Sequence, residues 1–126
     1  MMHVIKKHTI SFGHAFEGLA WACRSQPNFK LHLIISFIAI ALGRFFDISQ
    51  SEWIAVIMTI TMGLVIEMIN TAIEATTDAI DLKIREDIKI AKDVSAGAML
   101  VYAIGALIVA SLIYLPKVII FLSMHY

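Results

Sequence analysis

Three long apolar runs separated by short polar breaks dominate the chain. The clearest covers residues 94–115, 22 positions without a charge, and Pro116 is expected to close it. A second run begins at Trp53 and extends to about Asp81. The preceding "SQSE" at 49–52 has capping-box spacing, which predicts a helix start there. The remaining run, 31–48, carries His32, Arg44 and Asp47 near its ends, where polar side chains can reach a membrane interface. A bilayer crossing needs about 20 mostly apolar residues. The pattern therefore predicts transmembrane helices at about 30–48, 51–81 and 92–116. Upstream, Phe12, Phe16, Leu19 and Cys23 share one helical stripe, while His14, Glu17 and Trp21 fall elsewhere. This predicts an amphipathic helix over about 8–25 lying in the interface plane; the alternative is a soluble helix packed on the bundle.

Composition supports a membrane protein. Of 126 residues, 60% are apolar, against about 45–50% in an ordinary soluble domain. The length suits one unit, residues 1–126. Ten basic and ten acidic residues cancel, so the net charge gives no reason to expect a nucleic-acid partner. The single cysteine, Cys23, excludes an internal disulfide, and the polar first thirty residues do not read as a signal peptide. Eight of the ten Lys and Arg residues fall before the first span or between the second and third. By the positive-inside rule those segments are cytoplasmic, with the N-terminus inside and the C-terminus outside. Ala96, Ala103, Ala106 and Ala110 make a small-residue side on the last helix, with Gly97 and Gly105 nearby. Close helix approach, and self-association of so small a chain, are expected.

The second span is interrupted by polar groups. Glu67, Asn70, Glu74, Asp78 and Asp81 recur at intervals of 3, 4, 4 and 3. At 100° per residue they fall within about 80° of one another, a single strip whose Glu67 end lies deepest. Ionisable groups at such depth are costly unless they face a partner or a wet cavity. Four acids in a row also repel unless a cation joins them, either basic residues of the next loop or a divalent metal. The plain structural reading is pairing with Lys and Arg of neighbouring subunits. A second cluster, "IAKDVSAGAML" at 90–100, sets Lys92 and Asp93 where the third span is expected to start. A lysine beside exposed N–H groups at a helix N-terminus makes a phosphate seat, although a basic loop there also satisfies topology alone.

"EMINTAIEATTD" followed by "AKDVSAGAML" resembles the signature of the small prokaryotic diacylglycerol kinase/undecaprenol kinase family. "SFGHAFEGL", "NFKLH" and the late "LPK" extend the resemblance over nearly the whole chain. It implies an all-α integral membrane protein: three transmembrane helices, a surface helix and a homotrimeric bundle with active sites shared between subunits. It further implies ATP as co-substrate, Mg²⁺ or another divalent cation, a membrane lipid as acceptor and the bacterial cytoplasmic membrane as location. Position by position, Glu67 matches the catalytic base and also touches the lipid hydroxyl. Glu74 matches a metal-binding carboxylate, and Asn70 a residue that orders the nucleotide site. Lys92 and Asp93 match a nucleotide-contacting pair, with Lys92 on the phosphates. Lys83 and Arg85 lie in the loop that touches the nucleoside, and Lys7 and His14 occupy N-terminal nucleotide-contact positions. Asn28, Phe29 and Lys30 fall in a segment implied to meet the lipid.

One departure stands out. Gln26 occupies the position of a second metal-binding glutamate. Its carbonyl oxygen can still meet Mg²⁺, but without charge. Weaker metal binding, a substitute ligand such as Glu17, or a non-catalytic lipid-binding homologue are the alternatives. A small transporter would also need a membrane carboxylate strip, but not Lys92 and Asp93. "NFKLH" and "LPK" lean toward undecaprenol as the lipid, with diacylglycerol next.

Overall fold

The computed structural model describes residues 2–80 and 85–125, with side chains described over 12–80 and 85–124. Four helices follow one another: α1 (Met2–Ser25), α2 (Pro27–Phe45), α3 (Gln50–Ile80) and α4 (Glu86–His125). Three of them, α2, α3 and α4, are long and apolar enough to cross a membrane. α3 forms its main interface with α4 and a second one with α2. α1 meets the rest of the chain chiefly through α2.

Each helix boundary has a local cause. Gln26 is the N-cap of α2, with extended backbone (φ −96°, ψ 113°), and Pro27 follows at the first turn, where its missing N–H costs nothing. α2 ends in a Schellman arrangement. The Ile48 N–H donates to the Gly43 carbonyl (3.1 Å) and the Asp47 N–H to that of Arg44 (3.4 Å). Asp47 supplies the left-handed residue (φ 48°), a conformation that Asp tolerates better than most side chains. Gly43 is needed here for space: a Cβ would lie 2.9 Å from the Trp53 ring and 3.0 Å from Ile48. The capping box forms as the spacing predicts. The Ser49 N–H donates to Glu52 (2.7 Å), and the Glu52 N–H to the Ser49 hydroxyl (3.3 Å).

The core sits at this end of the bundle. Ile48, Val56, Ile113 and Tyr114 are buried together, with Trp53 and Ala39 against them. The Tyr114 hydroxyl donates to the Ala39 carbonyl (2.8 Å), which ties α4 to α2. Lys117 pairs with Glu52 at 3.1 Å and ties α4 to the start of α3. Midway along, the Tyr102 hydroxyl donates to the Thr59 carbonyl (3.0 Å), and its ring lies directly over Gly63. Most of α4 is left uncovered by the rest of the chain: only 6% of its most apolar window is buried.

Three expectations are corrected. Pro116 does not close the last helix, which runs on to His125. A helix interior loses one hydrogen bond at proline, a loss that spanning helices tolerate when neighbours compensate. The helix also begins at Glu86, not near Lys92. α1 starts earlier than expected, at Met2. Its apolar stripe is left open: Phe12 and Phe16 are exposed, and Ala22 is buried. Packing of that stripe on the bundle is therefore not how α1 covers it.

Candidate active site

The polar strip of α3 changes character along its length. Glu67 (2% exposed) and Asn70 (6%) are buried, whereas Glu74 and Asp78 are open. Asp81 lies outside the described residues. Among the described residues no hydrogen-bond donor reaches the Glu67 carboxylate, and no fully enclosed side-chain oxygen or nitrogen lacks a partner. The Glu67 oxygens must therefore keep a narrow opening. Thr77, also buried, adds no donor to the strip, because its hydroxyl is spent on the Ile73 and Glu74 carbonyls (2.9 Å each).

One turn toward the helix end, three side chains form a chain of hydrogen bonds. The Ser95 hydroxyl on α4 donates to Asn70 Oδ1 at 2.7 Å, and Asn70 Nδ2 donates to Glu74 Oε1 at 3.0 Å. A carboxylate only accepts, so Glu74 fixes the amide nitrogen on its side. Beyond it, Lys92 Nζ meets Asp78 Oδ1 at 2.5 Å. The repulsion along the strip is thus answered in part from within the same chain, by a lysine of α4.

Glu67, Asn70 and Glu74 lie along one face of α3, with Lys92 beyond them on Asp78, and several of the other expected site residues have partners of their own. Asp93 turns back to pair with Lys89 on its own helix. Lys92 and Asp93 lie in the interior of α4, so their backbone N–H groups are spent within it, and the expected seat at a helix N-terminus is absent there. Arg85 grips Asp87 with two nitrogens (2.7 and 3.2 Å) in the open. His14 pairs with Glu17 at 3.2 Å on the exposed face of α1. Asn28 and Lys30 are exposed, whereas Phe29 is 1% exposed and is a packing residue. Gln26 is half-buried, and its side chain makes no capping hydrogen bond. Lys83 lies outside the described residues, as does the side chain of Lys7. The sequence reading missed Ser95 as a partner of Asn70 and Asp78 as the partner of Lys92.

The donor set bears on the divalent cation. Among the described residues no three His, Cys, Asp or Glu side chains converge on one point. Glu74 is exposed and has one oxygen engaged by Asn70. One available carboxylate fits Mg²⁺ that arrives on a nucleotide, since that ion takes one or two carboxylates plus phosphate oxygens and water.

The model of the family described as "Prokaryotic diacylglycerol kinase" matches residues 13–114. An undecaprenol kinase of Bacillus subtilis is 36% identical over 107 residues, covering 85% of this chain and 87% of that protein. A diacylglycerol kinase of Synechocystis is 32% identical over 108 residues, which is 85% of this chain and 62% of that protein. The diacylglycerol kinase of Escherichia coli K12 is 26% identical over 96 residues, covering 76% and 79%. The match spans the α3 strip, Lys92 and Ser95 alike, and the chain belongs to the prokaryotic diacylglycerol kinase family.

Proposed function

We propose that the protein transfers the γ-phosphoryl group of ATP to the hydroxyl of a membrane lipid, with undecaprenol as first choice and diacylglycerol as second. The observation that carries this reading is Glu67, a buried carboxylate that no described donor satisfies, set one and two turns from Asn70 and Glu74 on the same helix face. An unpaired carboxylate in apolar surroundings costs several kcal/mol, at the order of magnitude, unless a substrate completes it. A lipid hydroxyl entering by the narrow opening is such a partner.

Glu67 takes the hydroxyl proton as the oxygen attacks the γ-phosphorus, and the bond from that phosphorus to the β,γ-bridging oxygen breaks. ADP and the lipid phosphate are the products. Phosphoryl transfer asks mainly for alignment and charge neutralisation. Glu74 and the neutral oxygen of Gln26 would hold the Mg²⁺ that ATP carries, and that ion would supply part of the neutralisation. Lys92 leaves Asp78 for the phosphates, and Asn70 keeps Glu74 aimed. The lipid tail stays in the bilayer, which is why the base is deep and the phosphate contacts are at the rim.

The same reading puts the chain in the bacterial cytoplasmic membrane, with the Lys- and Arg-rich segments inside, as a homotrimer whose copies complete one another's sites. Identity to both an undecaprenol kinase and a diacylglycerol kinase supports the lipid class. Purified protein, given γ-labelled ATP with undecaprenol and diacylglycerol side by side, tests it. Label in neither lipid overturns the proposal.

A further inference from the structure

The geometry points to Ser95 as a positioning residue that anchors the Asn70 amide to α4 and, through it, steadies the hold of Glu74 on a nucleotide-borne divalent cation. This rests on the nucleotide reading of the site just given.

Ser95 is buried, and its oxygen lies 2.7 Å from Asn70 Oδ1 and 3.0 Å from the Lys92 carbonyl. A hydroxyl has one proton and two acceptors within reach, so two networks are open to it. In one, Ser95 donates to Asn70 Oδ1, and the amide nitrogen then faces Glu74 at 3.0 Å. In the other, Ser95 donates to the Lys92 carbonyl, the amide turns over to donate to Ser95, and Asn70 Oδ1 faces Glu74. That second network sets two acceptors against each other, because a carboxylate accepts and does not donate, so Glu74 selects the first. Ser95 thereby links α4, one turn from Lys92, to the carboxylate two turns from Glu67. With one Glu74 oxygen tied to Asn70, the carboxylate presents the other in a fixed direction.

Alanine at position 95 removes the donor with almost no change of volume, and Asn70 Oδ1 is left buried without its partner. The amide keeps its nitrogen toward Glu74 but loses the bond that anchors it to α4, and Glu74 loses its fixed aim. Threonine keeps the hydroxyl. Two measurements separate this from packing. The first is binding of Mn²⁺·ATP, followed by the Mn²⁺ resonance signal, with no lipid present. The second is the split between KM for Mg²⁺·ATP, KM for lipid and kcat.

Ser95→Ala is expected to weaken Mn²⁺·ATP binding, and to raise KM for Mg²⁺·ATP, by roughly 3- to 10-fold, the ratio set by one buried hydrogen bond. KM for lipid should stay within about twofold, a difference too small for a lost hydrogen bond. Ser95→Thr should bind as wild type does. Equal binding by wild type and Ser95→Ala overturns the inference, and so does a threonine variant as weak as the alanine one. If wild type phosphorylates no lipid while the binding curves separate as stated, the lipid-kinase reading fails and the role of Ser95 stands. If no variant binds Mn²⁺·ATP, both fail.

Discussion

Lys92 on α4 reaches across to Asp78 on α3, Nζ to Oδ1 at 2.5 Å, and this contact closes the open end of the polar strip. Both side chains are substantially exposed, 39% and 51%. Exposed ion pairs contribute about 0–1 kcal/mol, so the contact is weak enough for a phosphate to displace it. Lys92→Ala should therefore raise KM for ATP several-fold, on the scale of one charge-assisted hydrogen bond, with little change in Tm. Steady-state kinetics with ATP and lipid varied in turn decide it. A rise confined to the lipid KM contradicts a phosphate role for Lys92.

Glu67→Gln preserves shape and removes the base. Loss of a positioned general base typically costs ~10²–10⁴ in rate. Turnover should fall by that order, while ATP binding and the oligomeric state persist. The neutral amide also suits an apolar pocket better than a carboxylate does, so Tm should not fall. Turnover near that of wild type at saturating substrate would remove Glu67 from the chemistry.

Gly63 tests the seam below the base. A Cβ there would run into the hydroxyl and ring of Tyr102, which is itself held by the Thr59 carbonyl at 3.0 Å. Overpacking of a well-filled seam costs typically about 1–3 kcal/mol. Gly63→Ala should lower Tm in detergent measurably, and Gly18→Ala, on the exposed part of α1 where open space surrounds the glycine, should not. Equal melting of the two variants would contradict the close approach of α3 and α4.

The helices and the strip were legible because both are periodic. Apolar length marks a span, and recurrence at three and four places polar groups on one face. The capping box at Ser49 and Glu52 was legible for a similar reason, since its partners are three residues apart. The Ser95–Asn70 contact was not, because it joins positions 25 apart and depends on the register of two antiparallel helices. The same holds for Lys92 and Asp78, 14 apart. Pro116 misled because proline ends a helix in water more readily than in a membrane, where the chain has no better use for its backbone. The true start of α4 was obscured by charge. Glu86, Asp87 and Lys89 read as loop, yet acids in a first turn favour a helix N-terminus.

Gln26 stands at the N-cap of α2 with its side-chain amide unused in capping. If the amide oxygen serves the nucleotide-borne metal in place of a carboxylate, the wild type should need a high concentration of Mg²⁺ or Mn²⁺ for half-maximal rate. Gln26→Glu restores a charge and should lower that concentration and raise turnover. The substitution also sets a negative group at a helix N-terminus, which stabilises α2 by about 0.3–1 kcal/mol whether or not metal is present. A gain in Tm without metal therefore reports the helix dipole alone. A further gain on adding Mg²⁺·ATP, larger in the variant than in wild type, reports the metal, because a ligand bound more tightly by the native state stabilises it more. The decisive measurement is a metal titration of kinase activity for both proteins. Superimposable curves would show that position 26 does not touch the metal, and that the missing carboxylate has no functional cost.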